Sequence, residues 1–251
     1  MNAAYTLSLF VSSANYLTLP GFEGVCAHCR FDIKHYNDAL YRHYKVPFPA
    51  SLQTASVQRK ADFLAGRITA NLAFIKLGLP PQVIEIGEHR NPVWPSSVQG
   101  SITHHSSSAY CMMILRPTGV SAGISAGIDL ESYLSASEST SLASGILSSI
   151  EFELVSANFS RFERGLTLIF SAKESLFKAL YPAVGHYFDF LDVGVSAISI
   201  DSRELQLILL RDLSPRCLKG DTITVYWQES AETILSWVLP NSCAIATRAH
   251  Q

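Results

Sequence analysis

Gly127-Ile128-Asp129-Leu130-Glu131 alternates apolar and acidic residues, and Phe170-Ser171-Ala172-Lys173-Glu174-Ser175-Leu176-Phe177-Lys178-Ala179-Leu180 follows it with helical spacing. On a strand, Asp129 and Glu131 point to one face while Ile128 and Leu130 turn into the core. On a helix, Ser171, Glu174 and Lys178 share one stripe, and Phe170, Leu176, Phe177 and Leu180 take the other side. Lys173 falls between Phe170 and Leu180, where a lysine either snorkels or lines a pocket. Three carboxylates and two lysines in this pattern suit a divalent metal and a pyrophosphate. Hard oxygen ligands favour Mg²⁺, which takes its remaining ligands from water and substrate phosphates. The plainer reading is a half-exposed strand with surface acids and a Glu174–Lys178 salt bridge worth about 0.2–0.5 kcal/mol.

Working outward, the strands and helices around these segments are mixed in both halves, which predicts an α+β fold. Ala61–Leu77 is the clearest helix: Phe63, Leu64, Ile68, Leu72 and Ile75 recur at three- and four-residue spacing, and Gly78 and Pro80-Pro81 stop it. Leu7–Val11, Val83–Ile86 and Tyr110–Leu115 read as strands, and Ser121–Asp129 leads into another. Asn91-Pro92 and Trp94-Pro95 read as turns. Ser132–Ser149 is rich in Ser and Ala and reads as either a helix or a partly ordered loop. Glu151–Tyr181 holds one or two helices with Gly165 as a break. From Asp192 the pattern turns to strands: Val193–Ile200, Leu205–Leu210, Thr222–Trp227 and Ile234–Val238.

Composition narrows the class. The chain has 251 residues, 48% hydrophobic and 16% charged, with a net charge of −2. That charge argues against general nucleic-acid binding. No apolar run approaches the roughly 18 residues of a membrane helix. No Lys or Arg precedes Arg30, so the cationic start of a secretory signal is missing and a cytoplasmic protein is expected. Cys26 and Cys29 form a lone C-x-x-C with His28 beside it. This is half a zinc site or, in keeping with the scattered Cys111, Cys217 and Cys243, simply reduced thiols.

Two further segments carry chemistry. In Gly100-Ser101-Ile102-Thr103-His104-His105-Ser106, a histidine among hydroxyls at a strand end either donates to a phosphate or closes a capped turn. Arg59 is expected just before the long helix, beside Lys60, with Arg67 two turns on. These cations form either a solvated face or a clamp for a nucleotide phosphate, to which the planar guanidinium is suited. Arg90, ahead of Pro92 and Trp94-Pro95, is another cation in a rigid turn.

Five motifs occur in order: R-K-x-x-F-L-x-G-R from Arg59, R-x-P-x-W-P from Arg90, G-S-I-T-H from Gly100, G-I-D-L-E from Gly127 and F-S-x-K-E-S-x-x-K-A from Phe170. Together they resemble the 4′-phosphopantetheinyl transferases, in particular the bacterial subgroup of the enterobactin-synthase component D type; Cys29-Arg30-Phe31-Asp32 is similar to that subgroup too. Thr103 stands where Ser is frequent, and Phe170 where Trp is common. The last seventy or so residues carry no matching motif.

The resemblance implies a pseudo-twofold pair of similar α+β half-domains, here 1–122 and 123–251, with coenzyme A bound between them. It implies Mg²⁺-dependent transfer of 4′-phosphopantetheine to a serine of an apo carrier protein, releasing adenosine 3′,5′-bisphosphate, in siderophore or non-ribosomal peptide synthesis. Asp129, Glu131 and Glu174 match the metal ligands, Lys178 the lysine at the pyrophosphate, and Lys173 a further lysine of the same motif. Glu174 or a water on the metal takes the serine proton. His104, with Thr103 before it, matches the histidine on a coenzyme A phosphate, and Arg59, Arg67 and Arg90 match cations around the nucleotide. Carrier proteins are commonly acidic near the modified serine, and Arg161 and Arg164 are the expected docking cations. A monomer is expected. Two other functions share the same residues: a Mg²⁺-dependent pyrophosphohydrolase of coenzyme A or a nucleotide, and a non-catalytic module that only binds the carrier.

Overall fold

A computed structural model describes residues 7–116 and 123–244, with side chains as far as residue 240. The chain divides into two compact units, Met1–Val120 and Ser121–Gln251. The expected boundary at 122, the start of the Ser121–Asp129 segment and the side chain of Cys243 lie outside the described residues.

The first unit contains β1 (Val11–Leu17), β2 (Val25–Phe31), α1 (Ala39–His43), α2 (Val57–Lys76), β3 (Glu85–Ile86), β4 (Pro92–Val93), β5 (Val98–His105) and β6 (Ser108–Leu115). Its antiparallel sheet runs β1-β2-β6-β5. Helix α2 crosses one face, burying Leu64, Ala65 and Ile68 against Cys29, Phe31 and Ala109. It starts at Val57, a turn earlier than the apolar spacing predicts, because the Ser56 hydroxyl accepts from the Arg59 N–H and caps it. Arg59 and Lys60 therefore belong to the first turn rather than preceding the helix. Gly78 ends it as expected, at a left-handed φ of 77°.

Three other expectations change. Residues 7–10 are not strand: the Ser8 hydroxyl takes the N–H groups of Phe10 and Val11, and pairing begins at Val11. Pro92–Val93 is not only a turn but pairs with Glu85–Ile86 as a short hairpin. Cys26 and Cys29 sit at i and i+3 of β2, so they face opposite sides of the sheet and form no half-site; both are buried, and burial pushes each thiol up to about 12.

The second unit contains β7 (Gly127–Ser132), α3 (Ala136–Ile146), α4 (Ser149–Asn158), α5 (Phe162–Val184), β8 (Val193–Ser199), β9 (Glu204–Leu209), β10 (Thr222–Glu229) and β11 (Thr233–Ala244). Its sheet is antiparallel, in the order β7-β11-β10-β9-β8. Helix α5 packs on one face through fully buried Leu166, Ile169, Leu176 and Leu180. Each side chain so buried contributes about 1.5–3 kcal/mol. The Ser-rich stretch is a helix, α3, and α4 follows it. Both open with a capping box, Ser135 with Glu138 and Ser148 with Glu151. The break before α5 falls at Phe159–Arg161 rather than at Gly165. Gly165 lies inside α5, where a Cβ would strike Phe159 and Val155, so it lets α4 and α5 approach. Among the described residues no helix is long and apolar enough to cross a membrane.

Candidate active site

Strand β7 and helix α5 build the acidic centre of the second unit. They approach closely because residue 127 has no side chain: a Cβ there would collide with the Ser175 carbonyl and the Ala179 methyl. Alternation along β7 then turns Asp129 and Glu131 to the α5 side, and Ile128 and Leu130, both buried, to the other. Beside them on β11, Ser236 is paired with Asp129 in register; its hydroxyl donates to the Ser171 carbonyl at 2.8 Å and pins β11 to α5. Ser171 is buried in this hydroxyl contact rather than exposed on the Glu174–Lys178 stripe.

Lys178 Nζ lies 2.6 Å from Asp129 Oδ1 and also donates to the Ile128 carbonyl at 3.2 Å. Desolvation pushes the Glu131 carboxyl up to about 8, with repulsion from Asp129 and Glu174 adding to it and Lys178 opposing it. Glu174 is raised in the same way, by desolvation first, against the pull of Lys178 and with the push of Asp129. Three carboxylates around one ammonium leave an excess of negative charge in a half-buried place. That donor chemistry, all hard oxygen, fits a divalent cation such as Mg²⁺. Among the described residues, however, no three acidic, His or Cys side chains are drawn together as a finished ligand set, and Asp129 Oδ1 is held by Lys178.

Lys173 departs from expectation. It lines a cavity of about 350 Å³ with Glu174, Phe177 and the aromatic segment 187–190. Yet it is 2% exposed, and its ammonium donates to the Ile146 carbonyl at 2.8 Å, the Phe190 carbonyl at 3.0 Å and Glu151 Oε1 at 2.8 Å. An ammonium has three donors. All three are engaged inside the protein, so Lys173 is not offered to a phosphate, and its assignment as a catalytic lysine is corrected.

In the first unit, Arg59, Phe63 and Arg67 follow one another at i, i+4 and i+8 along α2. The Arg67 guanidinium lies over the Phe63 ring at 4.3 Å. Burial pushes its pKa down to about 10, with Arg59 lowering it further and Cys111, Tyr41 and Glu85 opposing. No carboxylate among the described residues stands at ion-pair distance from it. It opens on a cavity of about 770 Å³ shared with Phe63, Asn71, Pro47, Ile84 and Glu85. Arg59 and Arg90 do not line this cavity; Arg90 is exposed in the turn Gly87–Asn91, at a left-handed φ of 62°. His104 Nδ1 lies 3.7 Å from Asp62 Oδ2 on α2, and Gln58 donates to the other oxygen. Alternation along β5 sends Thr103, which is buried, to the opposite face, so its hydroxyl and the His104 ring do not converge.

Of the expected docking cations, Arg164 donates to the Tyr133 hydroxyl at 3.0 Å and pairs with Glu229 at 3.4 Å, and Arg161 is exposed at the start of α5. Sequence reasoning missed Glu151 and Asn71. The Ser148-x-x-Glu151 spacing signals a helix start, but nothing local links Glu151 to Lys173.

Residues 48–114 match the 4′-phosphopantetheinyl transferase N-terminal domain, and residues 125–234 match the 4′-phosphopantetheinyl transferase superfamily. The chain belongs to this superfamily of transferase enzymes. Within it, the chain is similar to enterobactin synthase component D of Escherichia coli O157:H7, with 34% identity over 76% of the chain and 82% of that relative. The protein of that name from Escherichia coli K12 is 33% identical over the same shares. The 4′-phosphopantetheinyl transferase Npt of Nocardia iowensis is 30% identical over 66% of the chain and 70% of its own length.

Proposed function

We propose that the protein transfers 4′-phosphopantetheine from coenzyme A to a serine of an apo carrier protein, releasing adenosine 3′,5′-bisphosphate, and that the reaction depends on Mg²⁺. The observation that carries this reading is the Lys178–Asp129 contact at 2.6 Å between α5 and β7, with Glu131 and Glu174 near enough for the charges of all four groups to act on one another. Asp129, Glu131 and Glu174 would hold a divalent cation, which would supply charge neutralisation for a pyrophosphate. Lys178 donates to the oxygens of the leaving bisphosphate as charge develops there. Glu174, on the same stripe of α5, takes the proton of the attacking serine. Glu131 and Asp129, held on a rigid strand, keep their positions without reorganisation.

The first unit carries cations suited to a nucleotide phosphate. Arg67, half-buried and with no carboxylate at ion-pair distance among the described residues, takes a phosphate; Arg59, His104 and Arg90 are the further groups for the nucleotide. The plan common to both units, an antiparallel sheet with one long helix across a face, supports reading them as two related half-domains. The component D relatives support a carrier protein of siderophore or non-ribosomal peptide synthesis as acceptor. A cytoplasmic monomer fits this role.

The test is the intact mass of several apo carrier proteins after incubation with the protein, coenzyme A and Mg²⁺, with and without chelator. A gain of one phosphopantetheine, lost with chelator, is expected. Coenzyme A cleaved by water with no gain identifies a hydrolase, and tight coenzyme A binding with neither event identifies a binding module.

A further inference from the structure

We propose that Glu151 is a positioning residue for the Glu174–Lys178 face of α5, acting through Lys173; the proposal rests on the functional reading above. Glu151 is 2% exposed and sits in the first turn of α4. Its Oε2 accepts from the Ser148 N–H at 2.8 Å, closing the capping box. Its Oε1 accepts from the Val195 N–H of β8 at 3.0 Å and from Lys173 at 2.8 Å. Lys173 in turn reaches the last residue of α3, Ile146, and the turn at Phe190. One buried charge pair therefore joins α3, α4, α5, β8 and the 190–192 turn.

This junction fixes the roll of α5. Apolar side chains pack over a range of helix rotations at little cost. An ammonium that must meet two carbonyls and a carboxylate at once has one rotation that satisfies them. Glu174 is the next residue along, about 100° around the helix, and Lys178 lies on the stripe beyond it. Turning α5 to break the Lys173 contacts turns both away from Asp129 and Glu131. A buried ion pair adds little stability over neutral groups of the same volume. Its contribution here is the orientation it imposes, in the way that groups behind metal ligands orient them.

The experiment compares the unaltered protein with Glu151→Asp and with the double variant Glu151→Gln, Lys173→Met. Melting temperature, KM for coenzyme A, kcat and the affinity of the protein alone for Mn²⁺ by calorimetry are measured. The double variant exchanges the charges for neutral groups of similar volume and is expected to melt close to the unaltered protein. Its kcat and Mn²⁺ affinity fall about 10- to 100-fold, while KM for coenzyme A changes by less than about twofold. Glu151→Asp keeps the charge but retracts it, and kcat falls by more than the melting temperature accounts for. If kcat and Mn²⁺ affinity recover with the melting temperature in the double variant, the pair is core filling and the proposal is overturned. If the unaltered protein neither binds Mn²⁺ nor transfers, the functional reading fails instead. The positioning role is then decided by the Lys178–Asp129 contact in a crystal structure of either variant: separation beyond ion-pair distance is expected, and retention at 2.6 Å overturns it.

Discussion

Lys178 Nζ meets Asp129 Oδ1 at 2.6 Å, joining the last third of α5 to the middle of β7. From there the charge of the lysine also acts on Glu131 and Glu174. Asp129→Ala is expected to leave the fold intact, since Lys178 is partly exposed and can turn to water. It is expected to reduce metal-dependent turnover at least about 100-fold, the usual scale for losing a group that stabilises developing charge. Circular dichroism and carrier-loading rates at graded Mg²⁺ test this; normal turnover with a normal metal requirement removes Asp129 from the ligand set.

Arg67 gives a prediction with two signs. Its guanidinium is half-buried over Phe63 with no acidic partner among the described residues, which costs desolvation in the free protein. Arg67→Met keeps the stem and drops the charge. Melting temperature should hold or rise, while KM for coenzyme A rises about 10- to 100-fold through the loss of a charge-assisted hydrogen bond. A KM equal to that of the unaltered protein shows that the cavity does not receive the nucleotide.

His28 sets an acid limit on stability. Its ring stacks on Tyr110 of β6, and Nδ1 meets Asn15 of β1 at 2.8 Å. Desolvation first, then the charge of Arg30, pushes its pKa down to about 4. The unfolded chain, with an ordinary histidine near about 6.5, binds the extra proton first. The stabilising contribution is therefore complete above that value and is lost as pH falls towards about 4. Between these limits the raised Glu131 carboxyl contributes the opposite slope, so the expectation is a difference: denaturant melts of the unaltered protein should rise more, or fall less, with pH than those of His28→Phe. An unchanged slope in the variant places the acid sensitivity elsewhere.

Gly127 and Gly145 form a matched pair. A methyl at Gly127 meets the Ser175 carbonyl and Ala179, whereas one at Gly145 in α3 meets nothing within 4 Å. Gly127→Ala should destabilise by about 1–3 kcal/mol by forcing β7 off α5, with activity falling further than stability. Gly145→Ala should stabilise by about 0.5–1 kcal/mol. Equal denaturant midpoints for the two variants contradict the close approach.

Legibility in the sequence followed the range of the interactions involved. The body of α2 and its stop at Gly78 were readable because apolar spacing and a left-handed glycine act within a turn or two. Its start was missed because the first turn, Gln58-Arg59-Lys60, is polar and the signal is the single hydroxyl of Ser56. The Ser-rich stretch is ambiguous by composition, although Ser135-x-x-Glu138 and Ser148-x-x-Glu151 both mark helix starts. The helical spacing shows that Lys173 lies on the apolar side of α5, but its role depends on Glu151, Ile146 and Phe190, which are distant in the chain. Thr103 and His104 read as one motif, yet the pleat of β5 separates their side chains. A motif records which residues are neighbours along the chain; the faces they serve are set by the element that carries them.

The strand that carries Asp129 and Glu131 stands at the edge of its sheet, and among the described residues its one ladder partner is β11, Thr233–Ala244. Closing that ladder joins segments separated by most of the second unit, a costly loop to form early. During synthesis, β7 and α5 leave the ribosome well before β11 exists to pin them. The candidate site is thus completed by β11, the last strand among the described residues, and a nascent chain stopped before residue 233 carries Asp129, Glu131 and Glu174 without the register that aligns them.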